Sequence, residues 1–210
     1  MFIREGTRVA VSDLIKGVVI QSGNDASVAL AELIGGSELA FADMMNQQAA
    51  ILGMENSQFR NATGLPDANH YSSAWDIALL TISLIERFPE QYALYSQRSF
   101  KFNGIDQPNR NKLLWRDLTV DGVKTGYTND AGYCLVASAV RQGMRLISVV
   151  MGTDSDAARM RESQKLLSYG FRYFETQSLY EANVTLKEQP IYYAEADSVS
   201  LGVTEDVTLT

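Results

Sequence analysis

The stretch GYCLVASAVRQGMRLISVVMG, residues 132–152, consists of two apolar runs that are rich in β-branched side chains. The tetrapeptide Arg141-Gln-Gly-Met144 separates the two runs. A short break that contains glycine, between two runs of this kind, is typical of a β-hairpin. The sequence therefore predicts a long antiparallel hairpin, with an earlier strand in "SFKFNG", which begins at Ser99.

Helical patterns fill the chain before these strands. Ser12, Asp25 and Ser37 each precede a segment with helical periodicity, and each is predicted to cap its first turn. The segment Ser73-Ala-Trp-Asp76 has the pattern of a capping box, and Pro89 predicts the end of the helix that follows it. We therefore expect a cluster of helices ahead of the sheet.

One more helix is predicted after the hairpin, in "SDAARMRESQKLLSYGFRYFE". Its apolar residues are predicted to share one core-facing side: Met160, Leu166, Leu167 and Phe171. Short alternating segments follow Thr176 and predict further strands. The whole pattern predicts an α+β fold, in which an antiparallel sheet packs against a helical cluster. We expect two domains, residues 1–175 and the start of a β-rich domain at residues 176–210.

Composition excludes several kinds of partner. The 210 residues carry a formal net charge of −7 and no dense cluster of Lys and Arg, so we expect no nucleic-acid partner. The apolar runs are too short to span a bilayer, and "MFIREGTRVAV" lacks the hydrophobic core of a signal peptide. An anionic ligand must therefore find local positive charge.

The single histidine and the single cysteine narrow the possible chemistry. His70 and Cys134 alone do not supply an ordinary zinc site, nor a Ser-His-Asp or Cys-His catalytic pair. We expect no metal and no cofactor, and we predict that Cys134 is a buried structural thiol. Any nucleophilic chemistry must then use another base.

Two short motifs stand about a hundred residues apart. Ser22-Gly-Asn24 interrupts two helical segments, and its ordinary interpretation is helix capping. Lys124-Thr-Gly126 lies at the entry to the hairpin, where a lysine is often only a solvated edge residue. A glycine in a strand also leaves one face bare, so the backbone of a bound peptide could approach it. Each tripeptide is weak evidence alone, but the ordered pair is more specific.

Five longer stretches accompany these motifs: "SDLIKGVVIQSGNDASVALAE", "QPNRNKLLW", "VDGVKTGYT", "AGYCLVASA" and "MRLISVVMG". With them the chain resembles, nearly from end to end, a low-molecular-weight penicillin-binding protein, a D-alanyl-D-alanine carboxypeptidase. The resemblance implies a transpeptidase-like fold. It also implies a serine-type enzyme that removes the terminal D-alanine from peptidoglycan pentapeptides through an acyl-enzyme. The base in that family is a lysine, so histidine is dispensable.

Three catalytic roles follow from the resemblance. Ser22 would relay a proton toward the leaving amine. Asn24 would hold the substrate amide and the catalytic lysine. Lys124 would keep this polar network charged and favour an anionic ligand.

Five binding roles follow as well. Thr125 and its strand would bind the substrate backbone, Gly126 would leave the approach open, and the amide N–H of Tyr127 would donate to the oxyanion. Arg159 matches the family's carboxylate-binding arginine, and Arg110, in "PNRN", matches a second arginine near the site. The alternative for both arginines is an ordinary surface salt bridge.

One motif of the family is missing. No serine is followed by lysine three positions later, and Ser12-Asp-Leu-Ile-Lys16 has one residue too many. We therefore expect the nucleophile before Met1, and we expect this chain to be a fragment that is inactive alone. The alternatives are a non-catalytic cell-wall-binding or assembly protein of the same fold and, less favoured, a β-lactamase. A class A-like β-lactamase should carry an E-x-x-x-N-like loop, which "LIERFPEQY" does not supply.

The resemblance also implies partners and a location. The substrate would be a peptidoglycan pentapeptide ending in D-Ala-D-Ala, and β-lactam antibiotics would be inhibitors. The protein would act on the periplasmic side of the bacterial inner membrane. Its only membrane attachment would be a C-terminal amphipathic anchor, expected beyond Thr210.

Overall fold

The computed structural model describes all residues, 1–210. The helices are α1 Val11–Gln21, α2 Asn24–Gly35, α3 Glu38–Ile51, α4 Ala74–Arg87, α5 Pro89–Tyr92, α6 Leu113–Arg116 and α7 Asp156–Tyr173, with one 3-10 turn at Ala93–Ser96. The strands are β1 Ser99–Phe102, β2 Ile105–Pro108, β3 Val120–Thr128, β4 Gly132–Arg141, β5 Met144–Thr153, β6 Gln177–Tyr180, β7 Lys187–Pro190, β8 Ser198–Leu201 and β9 Val207–Leu209.

The central sheet has three antiparallel strands in the order β3-β4-β5. β4 and β5 form the predicted hairpin, whose register pairs Arg141 with Met144 around a two-residue turn. Gln142 and Gly143 take φ angles of +50° and +81° there, as the tight turns favoured by twisted strands require. β3 lies at the edge and pairs only with β4, so the other side of its backbone carries no strand.

The main core lies between α7 and one face of this sheet. Its buried members are Leu113, Leu114, Val120, Leu135, Ala137, Ala139, Met160 and Leu167. Burying a leucine-sized side chain of this kind stabilises a fold by about 1.5–3 kcal/mol. Phe171 packs partly against this core. The prediction for Leu166 is wrong, because consecutive helical residues point about 100° apart. Leu167 takes the core side, which leaves Leu166 50% exposed.

Two predicted helix caps are confirmed, although the capping box at Ser73 is only half formed, because the Asp76 carboxylate accepts from Asn56 and Ser57 instead. The side-chain oxygens of Ser37 and Ser73 accept hydrogen bonds from the amides of Ala40 and Asp76, both at 3.1 Å. A side-chain oxygen in this position satisfies one of the orphan amides at a helix start. Pro89, predicted as a helix end, also occupies the first position of the short helix α5.

Two other predicted caps are wrong. α1 begins after Ala10 with no side-chain cap, so Ser12 lies inside the first turn. α2 begins at Asn24, which puts Asp25 inside the helix as well. The carboxylate of Asp25 instead accepts the backbone N–H of Ile3 at 2.9 Å. A long-range partner therefore decides where this side chain points, and the local sequence does not reveal it.

The remaining strands form three two-stranded sheets. β1 pairs with β2. The sequence did not predict β2, because its four residues show no alternation of polar and apolar side chains. β6 pairs with β9, and β7 pairs with β8, so the region beyond α7 is β-rich as predicted. The division into domains at residues 175 and 176 stays a prediction. None of the helices combines the length and the apolar character that a bilayer crossing requires.

Candidate active site

Ser22 occupies the sharp turn between α1 and α2. Its φ and ψ angles, 58° and 46°, are left-handed, and its amide closes α1 by donating to the carbonyl of Val18 at 3.1 Å. A non-glycine residue in this region costs roughly 1–2 kcal/mol, and such residues cluster at functional sites. The turn places the hydroxyl of Ser22 beside the edge strand β3.

Lys124 reaches Ser22 from the middle of β3. Its Nζ donates to Oγ of Ser22, 102 residues away in sequence, and to the carbonyl of Thr125 at 2.9 Å. Burial, with smaller contributions from the charges of Arg110 and Arg159, lowers the pKa of Lys124 to about 8. The two sequence motifs thus meet at a cation whose proton is held less tightly than that of an ordinary lysine.

Arg110 is fixed to the end of α1. Its Nε donates to the carbonyl of Gln21 at 2.8 Å, and its backbone N–H donates to the carbonyl of Ile20 at 3.2 Å. The neighbouring Asn109 and Asn111 are both buried; Nδ2 of Asn111 donates to the carbonyl of Gly122 at 2.9 Å. These two asparagines anchor the segment, and the sequence analysis did not recognise that role. Arg110 remains exposed and lines the same cleft as Lys124.

Arg159 lies in the first turn of α7 and is only 7% exposed. Its Nη1 donates to the carbonyls of Gly126 and Cys134, at 2.9 and 3.2 Å, and so ties β3 to β4. Its guanidinium also lies over the ring of Tyr133, 5.4 Å from the centroid. A surface salt bridge is thus the wrong description of this buried side chain, although Arg159 does pair with Asp156.

The other predicted site residues line the same cleft. Asn24 is exposed at the start of α2. Thr125 is buried on β3, whereas Gly126 is exposed. A Cβ added to Gly126 would meet only the Cβ of Cys134, at 3.6 Å, so the approach above this residue is open. Tyr127 is half-exposed, and its ring packs against that of Tyr133 at a tilt of 38°, with the centroids 4.3 Å apart.

The cleft has a volume of about 620 Å³ and includes residues that the sequence analysis missed. Thr63, Gly64 and Leu65 form part of its wall. Oδ1 of Asn61 accepts the backbone N–H groups of Thr63 and Gly64, at 3.2 and 2.7 Å, which shapes this turn. The "NATGLP" stretch carries turn-forming residues, but no local pattern shows that the turn meets a strand sixty residues further along the chain.

The prediction that Cys134 is a buried structural thiol is wrong. The residue is only partly buried, and it lines the cleft. Its partner in the β3-β4 register is Gly126, which has no side chain to cover it. The absence of that cover explains the exposure of Cys134.

A K-T-G edge strand, an S-x-N turn between two helices and an antiparallel sheet backed by a helix together define a class. The S-x-N turn and the K-T-G strand are the second and third motifs of the serine enzymes that react with penicillin. The sheet backed by a helix is their transpeptidase-like fold. The comparison with known proteins gives the family. The model of the D-alanyl-D-alanine carboxypeptidases matches residues 1–155, and the chain belongs to that family. A second model, described as the C-terminal domain of penicillin-binding protein 5, matches residues 174–210.

Individual relatives agree with this family. The chain is 47% identical over its whole length to the D-alanyl-D-alanine carboxypeptidase DacC of Escherichia coli strain K12, and it covers 53% of that protein. Penicillin-binding protein 5 of Haemophilus influenzae matches the whole chain with a TM-score of 0.88 and 48% identity, over 61% of that structure. Cefotaxime-bound penicillin-binding protein D2 of Listeria monocytogenes matches 80% of the chain with a TM-score of 0.73 and 33% identity, over 69% of that structure. The chain spans about half the length of the curated relatives that it matches.

Proposed function

We propose that this chain provides the S-x-N and K-T-G half of the active site of a serine-type D-Ala-D-Ala carboxypeptidase. The enzyme would remove the terminal D-alanine from peptidoglycan pentapeptides through an acyl-enzyme. The observation that carries the proposal is the contact of Lys124 Nζ with Ser22 Oγ, in a cleft that two arginines also line. Membership of the carboxypeptidase family supports this function over the binding-protein and β-lactamase alternatives.

The catalytic roles centre on the proton of Lys124. With a pKa of about 8, this amine is about nine-tenths protonated at pH 7, yet close enough to neutrality to exchange its proton. Ser22 would pass a proton between this network and the leaving amine of D-alanine. Asn24, exposed on the cleft wall, would bind the amide of the substrate.

The binding roles follow the edge of the sheet. Thr125 and the free side of β3 would pair with the extended substrate backbone, as an added strand pairs with a sheet edge. Gly126 would leave room for that approach, and the amide N–H of Tyr127 would donate to the oxyanion. Arg159 and Arg110 would attract the terminal carboxylate of the substrate. These two arginines supply local positive charge in a chain that is acidic overall.

The nucleophile is not assigned to a residue of this chain. None of its serines has a lysine three positions later, and Ser22 has no matched lysine base one helical turn away in sequence. We propose that the 210 residues alone do not form an acyl-enzyme. The inhibitors would be β-lactams; in one solved relative, penicillin-binding protein D2, cefotaxime is bound. The relatives are bacterial penicillin-binding proteins, and we propose the periplasmic side of the inner membrane as the place of action.

A fluorescent penicillin tests this proposal directly. The full-length gene product should become covalently labelled, whereas the 210-residue chain should not. Competition with unlabelled benzylpenicillin should abolish the label, which controls for nonspecific attachment. An unlabelled full-length product would contradict the proposed function. A labelled 210-residue chain would contradict the claim that it lacks a nucleophile.

A further inference from the structure

Arg159 has few hydrogen-bond donors left for a ligand. A guanidinium group carries five N–H donors, two on each Nη and one on Nε. Nη1 uses its two on the carbonyls of Gly126 and Cys134, and Nη2 uses one on Asp156. The Nε atom is buried and has no partner. Two N–H donors are thus unpaired, but the one on Nε is buried, which leaves one N–H on Nη2; a two-pronged grip on a carboxylate needs two.

Asp156 is itself a carboxylate bound to this arginine. Its Oδ1 accepts Nη2 of Arg159 at 2.5 Å, and its Oδ2 accepts Nζ of Lys112 at 2.7 Å. Hydrogen bonds and charge from Lys112 and Arg159 outweigh burial and lower the pKa of Asp156, so the carboxylate stays ionised at neutral pH. The three residues form a chain of alternating charge: Lys112, Asp156, Arg159.

Asp156 is not needed to keep Arg159 in place. Two carbonyls on two strands and the ring of Tyr133 already hold the guanidinium from other directions. Removing the carboxylate would therefore free an N–H donor and a positive charge without moving the arginine. Asp156 would therefore affect an anionic ligand in two ways: its negative charge repels the ligand, and it occupies an N–H donor of Arg159.

We propose that Asp156 competes with the terminal carboxylate of the substrate for Arg159, and that Lys112 sets the strength of this competition. The inference rests on the proposed function, because it requires a ligand that ends in a carboxylate. Asp156 touches no substrate in this scheme; it acts through the charge and the donors of Arg159, and so tunes selectivity for anionic peptides. Lys112, which neutralises part of the charge of Asp156, weakens the competition.

The test compares two peptides that differ only in charge. Diacetyl-L-lysyl-D-alanyl-D-alanine and its C-terminal amide are titrated into the ¹⁵N-labelled 210-residue chain, and the amide signal of Gly126 reports binding. Asp156→Asn should bind the acid about fivefold more tightly than the wild type, since a nearby charge at the edge of a cleft has this order of effect. Its affinity for the amide should change less than twofold. Asp156→Glu keeps the charge and should restore wild-type discrimination.

A second variant keeps the test independent of any disturbance at Asp156. The side chain of Lys112 is 62% exposed, so Lys112→Gln is compatible with the fold, and it should bind the acid about twofold to threefold more weakly. This inference alone is overturned if the wild type discriminates between the peptides but Asp156→Asn binds the acid no more tightly. It is also overturned if the affinity of Asp156→Asn changes equally for both peptides. Equal affinity of the wild type for acid and amide overturns both this inference and the carboxylate roles of the arginines.

Discussion

Replacing Lys124 by methionine should change how the stability of the chain depends on pH. The pKa of this lysine falls from 10.5 to about 8 on folding, which corresponds to about 3 kcal/mol against the charged form. Between pH 8 and 10.5 the unfolded chain binds more protons than the folded chain, so the free energy of unfolding of the wild type rises with pH. Below pH 8 the lysine is charged in both states, and the folded protein bears the whole penalty.

Lys124→Met removes this titration while it fills a similar volume. The free energy of unfolding of the variant minus that of the wild type should therefore be about 3 kcal/mol larger at pH 7 than at pH 10.5. The hydrogen bonds to Ser22 and to the carbonyl of Thr125 are lost at every pH, so they largely cancel in this difference. Urea unfolding, followed by tryptophan fluorescence at pH 7, 8, 9, 10 and 10.5, measures the two profiles.

Lys165→Met is the matched control, because the side chain of Lys165 is 64% exposed and only makes a surface ion pair with Glu162. Its profile should run parallel to that of the wild type. If Lys124→Met also runs parallel to the wild type, Lys124 is not desolvated in the folded chain, and the electrostatic description of the cleft is wrong.

Three further changes probe the packing, the cleft and the helix starts. Leu167→Ala should lower the free energy of unfolding by about 2–5 kcal/mol, because Leu167 is buried. Leu166→Ala, at an exposed position, should change it by less than about 1 kcal/mol; similar losses in the two variants would refute the orientation of α7. Gly126→Ala in the full-length product should leave the melting temperature nearly unchanged, because the added Cβ has room. The same Cβ should slow acylation by penicillin at least about tenfold, because it stands where the ligand approaches β3; an unchanged rate would refute that approach. Ser37→Ala should cost about 1 kcal/mol in urea unfolding, while Ser12→Ala should fall within about 0.5; equal values would contradict the assigned caps.

Local patterns predicted the parts of the fold that local forces determine. The β4-β5 hairpin follows from two β-branched runs around Gln142 and Gly143, whose positive φ angles fit that turn. The caps at Ser37 and Ser73 need only an amide three residues away. Asp25 lies beyond such local patterns, because its carboxylate accepts the backbone N–H of Ile3, a partner that no window around the residue contains.

The active site was less predictable from local patterns than the helices and strands were. The meeting of Ser22 and Lys124 spans 102 residues, and only the ordered pair of motifs pointed to it. The turn at Thr63 and the carboxylate of Asp156 carry no motif, because the turn lines the cleft from a distant part of the chain and Asp156 reaches the cleft only through Arg159. Tertiary placement of this kind leaves no trace in spacing or periodicity.

The central claim is that the Ser22–Lys124 cleft belongs to a carboxypeptidase. Its most direct test is the release of D-alanine from diacetyl-L-lysyl-D-alanyl-D-alanine by the full-length gene product and by its Lys124→Gln variant. We expect release by the wild type and a fall in kcat/KM of at least about a hundredfold in the variant, with the fold intact by circular dichroism. A variant as fast as the wild type, or a wild type that releases no D-alanine, would contradict the account.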